Sequence, residues 1–390
     1  MFLPELLAPA GNLEKLKTAC LYGADAVYVG GVRFGLRSGA DNFTHQDLVK
    51  AARITKEHGV KLYVTMNAFL HNQDMEGIDE FVSALEEIGV AALIVSDMGV
   101  IRACMKFCKI PIHLSTQATC INIQSAKLWK EMGIDRIITG RELTVQEGGE
   151  MKRQTGLEVE MFIHGAMCSA YSGNCTISNY TAGRDSNRGG CKQSCRFEYQ
   201  VPGIENKTTF MSSKDLLGLD LLPQFFKEEI DSIKVEGRMK SQLYVAATCK
   251  AYRNAIDHYA AQKWDQHVIN EGLYELQNVA NRGFTHASLE KDAEEDSITP
   301  MFRDSHNKYS FVGSVLHSDG ERAYLQLKNP IQKESVIEFV TTRGTNQTLK
   351  VDKINDFSGA EIDKGKQNQI VYVPLQEKLE EGTIIREVCQ

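Results

Sequence analysis

The sequence predicts an α/β fold, a (β/α)8 TIM-like barrel with a cysteine-loop insertion, followed by a small C-terminal all-β barrel domain. Three patterns predict it. Eight short apolar, β-rich runs alternate with helical stretches in the first two thirds of the chain. Most of those helical stretches end in glycine, as a helix followed by a turn into a strand requires. From Lys308 onward the helical periodicity stops, and short strands parted by turn residues take over. An open doubly wound sheet competes with the barrel, and eight units over about 260 residues favour the closed form.

The strand runs are ELLAP (5–9), AVYVGG (26–31), KLYVTMN (61–67), ALIVSD (92–97), PIHLST (111–116), RIITGRE (136–142), EVEMFIHG (158–165) and SIKVEGR (232–238). They read as near-continuous apolar runs, which suits parallel strands covered on both faces. Helical stretches lie at 13–21, 45–58, 78–88, 98–107, 124–132, 144–154, 219–228 and 242–261, with Gly23, Gly59, Gly89, Gly133 and Gly156 at expected helix ends. The seventh unit is irregular. No helix follows EVEMFIHG directly; a polar, cysteine-bearing loop does, and then FEYQVPG (197–203) and TTFMSS (208–213), which read as a hairpin. The insertion spans about 165–213. In a barrel, such a loop lies on the face where active sites are built. A further helix and a polar linker occupy 265–304, so the barrel domain is expected at 1–304 and the β domain at 305–390.

Composition sets outer limits. With 42% hydrophobic and 24% charged residues the chain reads as a soluble globular protein. The net charge of −7 argues against a protein that coats nucleic acid, while leaving room for a local basic patch. The N-terminal MFLPELLAPAGNLEK has no basic segment and a broken apolar one, and no run is long enough to span a bilayer, so a cytoplasmic location away from membranes is expected. Ten cysteines in that setting are expected as thiols, metal ligands or catalytic groups, not disulfides.

Four of them carry the strongest chemical signal. Cys168, Cys175, Cys191 and Cys195 follow the spacing C-x6-C-x15-C-x3-C in a hydrophilic segment with little apolar sequence to bury them. Cysteine that only packs is among the most buried residue types, so these four point to a soft metal centre. Four thiolates suit an iron–sulfur cluster or tetrahedral zinc; the loose C-x6-C pair departs from zinc knuckles and favours the cluster, 4Fe–4S over 2Fe–2S. Cys20, Cys104, Cys108, Cys120, Cys249 and Cys389 read as packed thiols.

Polar residues recur at the strand ends. Thr65, Asn67, Gln117, Arg141, His113, His164, Glu236 and Arg238 would face one pocket in a barrel. Arg141 and Arg238 suit bidentate binding of carboxylates, with Thr65, Asn67 and Gln117 as further substrate contacts. His113, His164 and Glu236 are candidate acid–base groups, the alternative for the histidines being buried, satisfied rings. Asn12 and Asp97 also read as helix caps. Arg184, Arg188, Lys192 and Arg196 lie within the cysteine loop and suit either a phosphate backbone or the charge balance of four thiolates. G-x-S-x-G and H-E-x-x-H are absent from the sequence, and GGVRFG fits neither phosphate-binding glycine pattern.

The segments ELLAPAGNLEKLKTACLYGADAVYVGG, FGLRSGADNFT, HLSTQAT, EMFIHGAMCSAYSGNCTISNY, RDSNRGGCKQSCRFEY, SSKDL and KVEGRMKSQLYVA together resemble the collagenase-like peptidase family of unassigned mechanism (family 32), over about residues 3–290. Within it the chain looks most like the bacterial members that make 5-hydroxyuridine at the tRNA wobble position with prephenate. It is also similar to a ribosomal RNA cytidine hydroxylation protein and to oxygen-independent quinone hydroxylases. The resemblance implies an iron–sulfur cluster held by Cys168, Cys175, Cys191 and Cys195, prephenate as co-substrate and tRNA as partner. Peptidase activity, hydroxylation of another RNA or a quinone precursor, and an accessory role with a homologous partner subunit are the alternatives it carries.

Overall fold

The computed structural model describes residues 2–36, 41–203, 205, 207–299 and 308–389. All eight predicted strands form. β1 (Glu5–Pro9), β2 (Ala26–Gly30), β3 (Lys61–Met66), β4 (Ala92–Val95), β5 (Ile112–Leu114), β6 (Arg136–Ile138) and β7 (Glu158–Ala166) pair in parallel in sequence order. A short β8 (Asp215–Leu217) intervenes, and β9 (Ser232–Val235) closes the barrel by pairing in parallel with both β1 and β7. The connecting helices are α1 (Leu13–Leu21), α2 (His45–Glu57), α3 (Ile78–Glu87), α4 (Met98–Phe107), α5 (Ile123–Glu131), α6 (Val145–Thr155), α7 (Ile177–Ala182), α8 (Leu222–Lys227) and α9 (Gln242–Ala260), with α10 (Gln266–Gln277) following. None of the described helices is long and apolar enough to cross a membrane.

Local sequence explains the helix limits. Asn12 accepts from the Lys15 amide to start α1, and Asp97 accepts from Gly99 and Val100 to start α4. Thr44 with Asp47, and Thr144 with Glu147, close reciprocal caps on α2 and α6. The glycines predicted at helix ends all have positive φ.

Strand register decides what fills the barrel. Residues of one parity face the lumen: Glu5, Tyr28, Tyr63, His113, Arg136, Glu160, Phe162 and Lys234. Such interiors are usually layers of branched apolar side chains. Here an ion chain runs through it: Glu5 to Arg136 at 2.7 Å, Arg136 to Glu160 at 3.2 Å, and Glu160 to Lys234 at 2.7 Å. Glu160 is fully buried. The Phe162 ring has Arg141 over it at 4.2 Å and Lys234 at 5.6 Å. The pairing of β7 with β9 shifts register between Phe162 and His164. That one-residue bulge turns His164 out of the lumen toward α9. Gly165 follows at φ 105, and a Cβ there would lie 2.3 Å from the Glu236 carbonyl oxygen.

Two sequence readings need correction. The hairpin expected from 197–203 and 208–213 reduces to a single antiparallel bridge, Tyr199 with Thr208, whose amides donate to each other's carbonyls at 2.9 and 3.1 Å. A two-stranded ribbon without a packed face has little to hold it. Second, β8 runs antiparallel along the end of β7 and is extended by β10 (Phe284–Thr285), an addition too short for sequence periodicity to reveal. The stretch read as a helix over 219–228 is helical at Leu222–Lys227.

The C-terminal residues form a half-barrel of antiparallel strands: β11 (Tyr309–Ser318), β12 (Arg322–Leu327), β13 (Ile331–Gln332), β14 (Val336–Val340), β15 (Gln347–Lys350), β16 (Ile354–Asp356), β17 (Glu361–Ile362), β18 (Lys364–Gly365), β19 (Ile370–Pro374) and β20 (Ile384–Val388). Eight of these make one sheet in the order β15-β14-β20-β11-β12-β19-β16-β17, around a core of its own. The sheet docks on the barrel helices. Tyr22 donates to the Val340 carbonyl and accepts from the Ile384 amide at 2.9 Å. Arg386, fully buried, pairs with Glu275 of α10 at 2.7 Å and with Glu338 at 3.2 Å, its guanidinium 3.8 Å over the Tyr309 ring.

Candidate functional site

A cavity of about 370 Å³ opens where β2, β5, β6, β7 and β9 end, its wall including Leu36, Gln117, Arg141, Ala166 and Glu236 from those strand ends. This is the carboxyl-terminal mouth of the barrel. The other wall is the cysteine loop, which contributes Cys168, Cys175, Cys191 and Cys195. The loop reaches this position because several rim loops hold it. The Ser172 amide and hydroxyl donate to the Glu142 carboxylate at 2.6 and 2.7 Å. Asn174 donates to Thr119 at 2.7 Å. Asn187 donates to the Cys175 carbonyl at 3.1 Å, and its own carbonyl accepts from the Phe69 amide at 3.0 Å. Arg188 pairs with Asp74. Arg196 donates to the Ser213 and Met167 carbonyls at 3.0 and 3.1 Å.

The four thiols differ from the rest. Cys191 is exposed and Cys168, Cys175 and Cys195 are half-buried, while Cys20, Cys104, Cys108, Cys120 and Cys249 are buried. Burial pushes Cys20 and Cys104 up to about 12 and Cys120 to about 11, fixing them as inert thiols. Cys389, expected to pack, is exposed. The Sγ of Cys175 accepts from the Ile177 amide and that of Cys191 from the Gln193 amide, each at 3.4 Å. Burial raises the Cys195 thiol, and the Arg196 guanidinium and a bond from Ser169 act against it. Cys168 and Cys191 are close enough to Cys195 to add to its upward shift.

The sulfurs share a cavity wall rather than one point. Among the described residues no three His, Cys, Asp or Glu side chains close around a single metal position. Tetrahedral zinc needs all its sulfurs about 2.3 Å from one centre, whereas a cluster spreads its thiolates over separate irons. A donor set of four accessible thiols, two of them already accepting amide hydrogen bonds, around a cavity with cationic walls fits a cluster whose thiolates bind separate irons.

The other predicted residues divide. Arg141 lines the cavity; it has no hydrogen-bond or ion-pair partner among the described residues, and its Nε is buried and unsatisfied. Arg238 is not in the lining. Its guanidinium lies over Gly30, where a Cβ would come within 1.7 Å of Nη1, and donates to Thr65 at 3.5 Å. The structure therefore does not bring the two arginines together in the cavity wall. Gln117 lines the cavity and accepts from Ser115 and, at 3.4 Å, from Asn67. Asn67 also accepts from the Leu36 amide at 3.2 Å, and Thr65 donates to the Val29 carbonyl at 3.1 Å. Glu236 lines the cavity, and neither His113 nor His164 does. His113 sits in the lumen edge-on to Tyr63, its pKa well below the ordinary value through burial and then Arg136. His164 lies among Tyr244, Tyr252 and Phe284, held at about 3 by burial and then by Lys240. Of the four loop cations, Arg188 and Arg196 are engaged as described, and Arg184 and Lys192 project into solvent.

Residues 11–299 match the peptidase family U32 domain and residues 307–386 match the U32 C-terminal domain. The chain belongs to peptidase family U32. It is similar to the tRNA hydroxylation protein P1 of Bacillus subtilis (strain 168), 41% identical over 98% of this chain and 94% of that one. It is also similar to the 23S rRNA 5-hydroxycytidine C2501 synthase of Escherichia coli (strain K12), 35% identical over 70% of this chain and 42% of that one. A relative from Porphyromonas gingivalis (strain ATCC BAA-308 / W83) carries the name collagenase, 32% identical over 72% of each chain.

Sequence reasoning passed over three residues of this U32 cavity. Lys240 and Arg282 line it, and buried Asp215 holds both, at 3.4 and 3.3 Å. Arg282 also donates to Gln193 of the cysteine loop at 3.3 Å. Lys240 follows Arg238 by two residues and is open to the same reading, and Asp215 lies in SSKDL, one of the segments that carry the family resemblance; Arg282 lies in a stretch without periodicity.

Proposed function

We propose that this U32 protein modifies RNA, hydroxylating C5 of the wobble uridine of tRNA without oxygen and with prephenate as co-substrate or hydroxyl source. The observation that carries the reading is the meeting, in one cavity at the barrel mouth, of Cys168, Cys175, Cys191 and Cys195 with Arg141, whose guanidinium has no hydrogen-bond or ion-pair partner among the described residues. The names of the full-length bacterial relative and of the ribosomal RNA enzyme support the RNA substrate. The four cysteines would hold an iron–sulfur cluster, 4Fe–4S favoured, which when bound supplies one-electron redox chemistry. Arg141, stacked on Phe162, takes one carboxylate of the co-substrate. The second carboxylate passes from Arg238, which does not line the cavity, to Lys240 and Arg282, which do. Glu236 is the carboxylate in the wall and takes the acid–base role in place of the two histidines.

The test joins two measurements. Protein purified without oxygen should contain iron and sulfide, and Cys191→Ala should lose them. In cells lacking the gene, mass spectrometry of tRNA nucleosides should find 5-hydroxyuridine reduced, restored by the wild type and by neither Cys191→Ala nor Arg141→Met. Unchanged 5-hydroxyuridine in the deletion strain ends the reading. The family name favours peptide hydrolysis instead, but among the described residues no imidazole lines the cavity beside a thiol or hydroxyl. Hydrolysis of gelatin by iron-free protein, insensitive to Cys191→Ala, would establish the peptidase.

A further inference from the structure

We infer that the rim above the cavity is a stacking platform for a single-stranded RNA loop, on which Tyr180 receives a base while Arg184 and Lys192 take phosphates. The inference rests on the RNA reading of the cavity beneath it. Tyr180 is 88% exposed, more than any other large apolar or aromatic side chain among the described residues. An isolated tyrosine on a surface needs no explanation; its placement does. Tyr180 is on α7, whose residues Ile177 and Ser178 line the cavity, so the exposed ring is carried by a helix that forms part of the cavity wall.

One buried residue organises the rest. The Ser178 carbonyl accepts from the Arg184 amide at 3.1 Å, and the Ser178 hydroxyl accepts from the Lys192 amide at 3.1 Å. Two separate turns of the loop are thereby fixed to the same helix, with both side chains exposed and without a partner among the described residues. In the same loop Tyr171 is exposed, two residues before Gly173 of the cavity wall. The segment 168–196 carries Arg184, Arg188, Lys192 and Arg196 against Asp185, a balance of +3 on a chain of net charge −7. An anionic partner that approaches an acidic protein is thus drawn to this rim. Aromatic faces beside unpaired cations suit unstacked bases and the phosphates between them. A duplex offers no free base face, and an enzyme acting on a base must take it out of any stack.

The test is fluorescence anisotropy with a labelled tRNA anticodon stem-loop, and with the same sequence closed into a continuous duplex, at several salt concentrations. Wild type should prefer the loop. Tyr180→Ala should weaken loop binding roughly tenfold and Tyr180→Phe should not. Arg184→Ala with Lys192→Ala should reduce the slope of log affinity against log salt by about 1.4, two single-strand phosphates. Urea midpoints equal to wild type confirm that the variants are folded. If wild type binds no RNA, the RNA reading falls and the platform with it. If wild type binds and Tyr180→Ala binds equally, or if the duplex binds as well as the loop, the platform alone falls.

Discussion

Burial, and then the charge of Lys240, hold His164 at about 3, below the ordinary value of 6.5. Above pH 6.5 the ring is neutral whether the chain is folded or not. Between 6.5 and about 3 the unfolded chain binds a proton that the folded chain refuses, so stability is lost as the pH is lowered through that window. The slope is about 1.4 kcal/mol per pH unit for one such group. Urea unfolding of His164→Gln between pH 6.5 and 5 should show a pH dependence shallower than wild type by that amount; parallel curves would mean an ordinary histidine. At this scale the contrast in burial between the four loop cysteines and the packed ones was readable, because four thiols in a polar segment have no packing reason to be there. The histidines were not. His164 has lumen parity in the strand pattern, and only the extra residue before it turns it away. Arg238 likewise sits at the right strand end, but Gly30 leaves room for its guanidinium, which donates to Thr65 and stays out of the cavity lining.

The barrel strands carry a second consequence. Glu160 of β7 is fully buried and faces Lys234 of β9 at 2.7 Å and Arg136 of β6 at 3.2 Å. Glu160→Gln leaves the buried Lys234 ammonium without its carboxylate and should cost about 3–5 kcal/mol. Adding Lys234→Met should recover much of the loss, and a double-mutant cycle by urea unfolding measures the coupling. Two additive losses would mean that the pair is not energetically linked. The elements themselves were legible where they are long and apolar: every barrel strand matched its sequence run, and Asn12 and Asp97 cap the helices they precede. β8 and β10 escaped because three and two residues carry no period. The charged lumen escaped because Glu158, Glu160 and Lys234 alternate with apolar residues, a pattern that sequence alone cannot orient inward or outward.

Over the whole molecule, the half-barrel is joined to the barrel by Val340 and Ile384, which pack into the barrel's apolar core, and by a band of polar contacts. Arg386 is their centre, between Glu275 on the barrel side and Glu338 on its own sheet. Arg386→Met leaves two carboxylates without their partner and should cost about 3–5 kcal/mol. Calorimetry should then resolve one transition into two, the half-barrel melting first. A single transition shifted as a unit would mean that the remaining contacts suffice to couple the domains. The change of texture after residue 308 marked the second domain in the sequence. Its docking could not be read there, since Tyr22 and Ile384 meet across 362 residues of chain.

The anchors of the cysteine loop use Ser172, Asn174, Asn187, Arg188 and Arg196, and none of these bonds passes through a sulfur atom. The loop is a roof pinned along its eaves by contacts that do not use the thiols. Whatever they carry can enter after the chain has folded and can be lost and replaced without rebuilding the barrel. On the proposed iron–sulfur reading, exposure to air would then discharge a finished container, and iron with sulfide and a reductant would refill it.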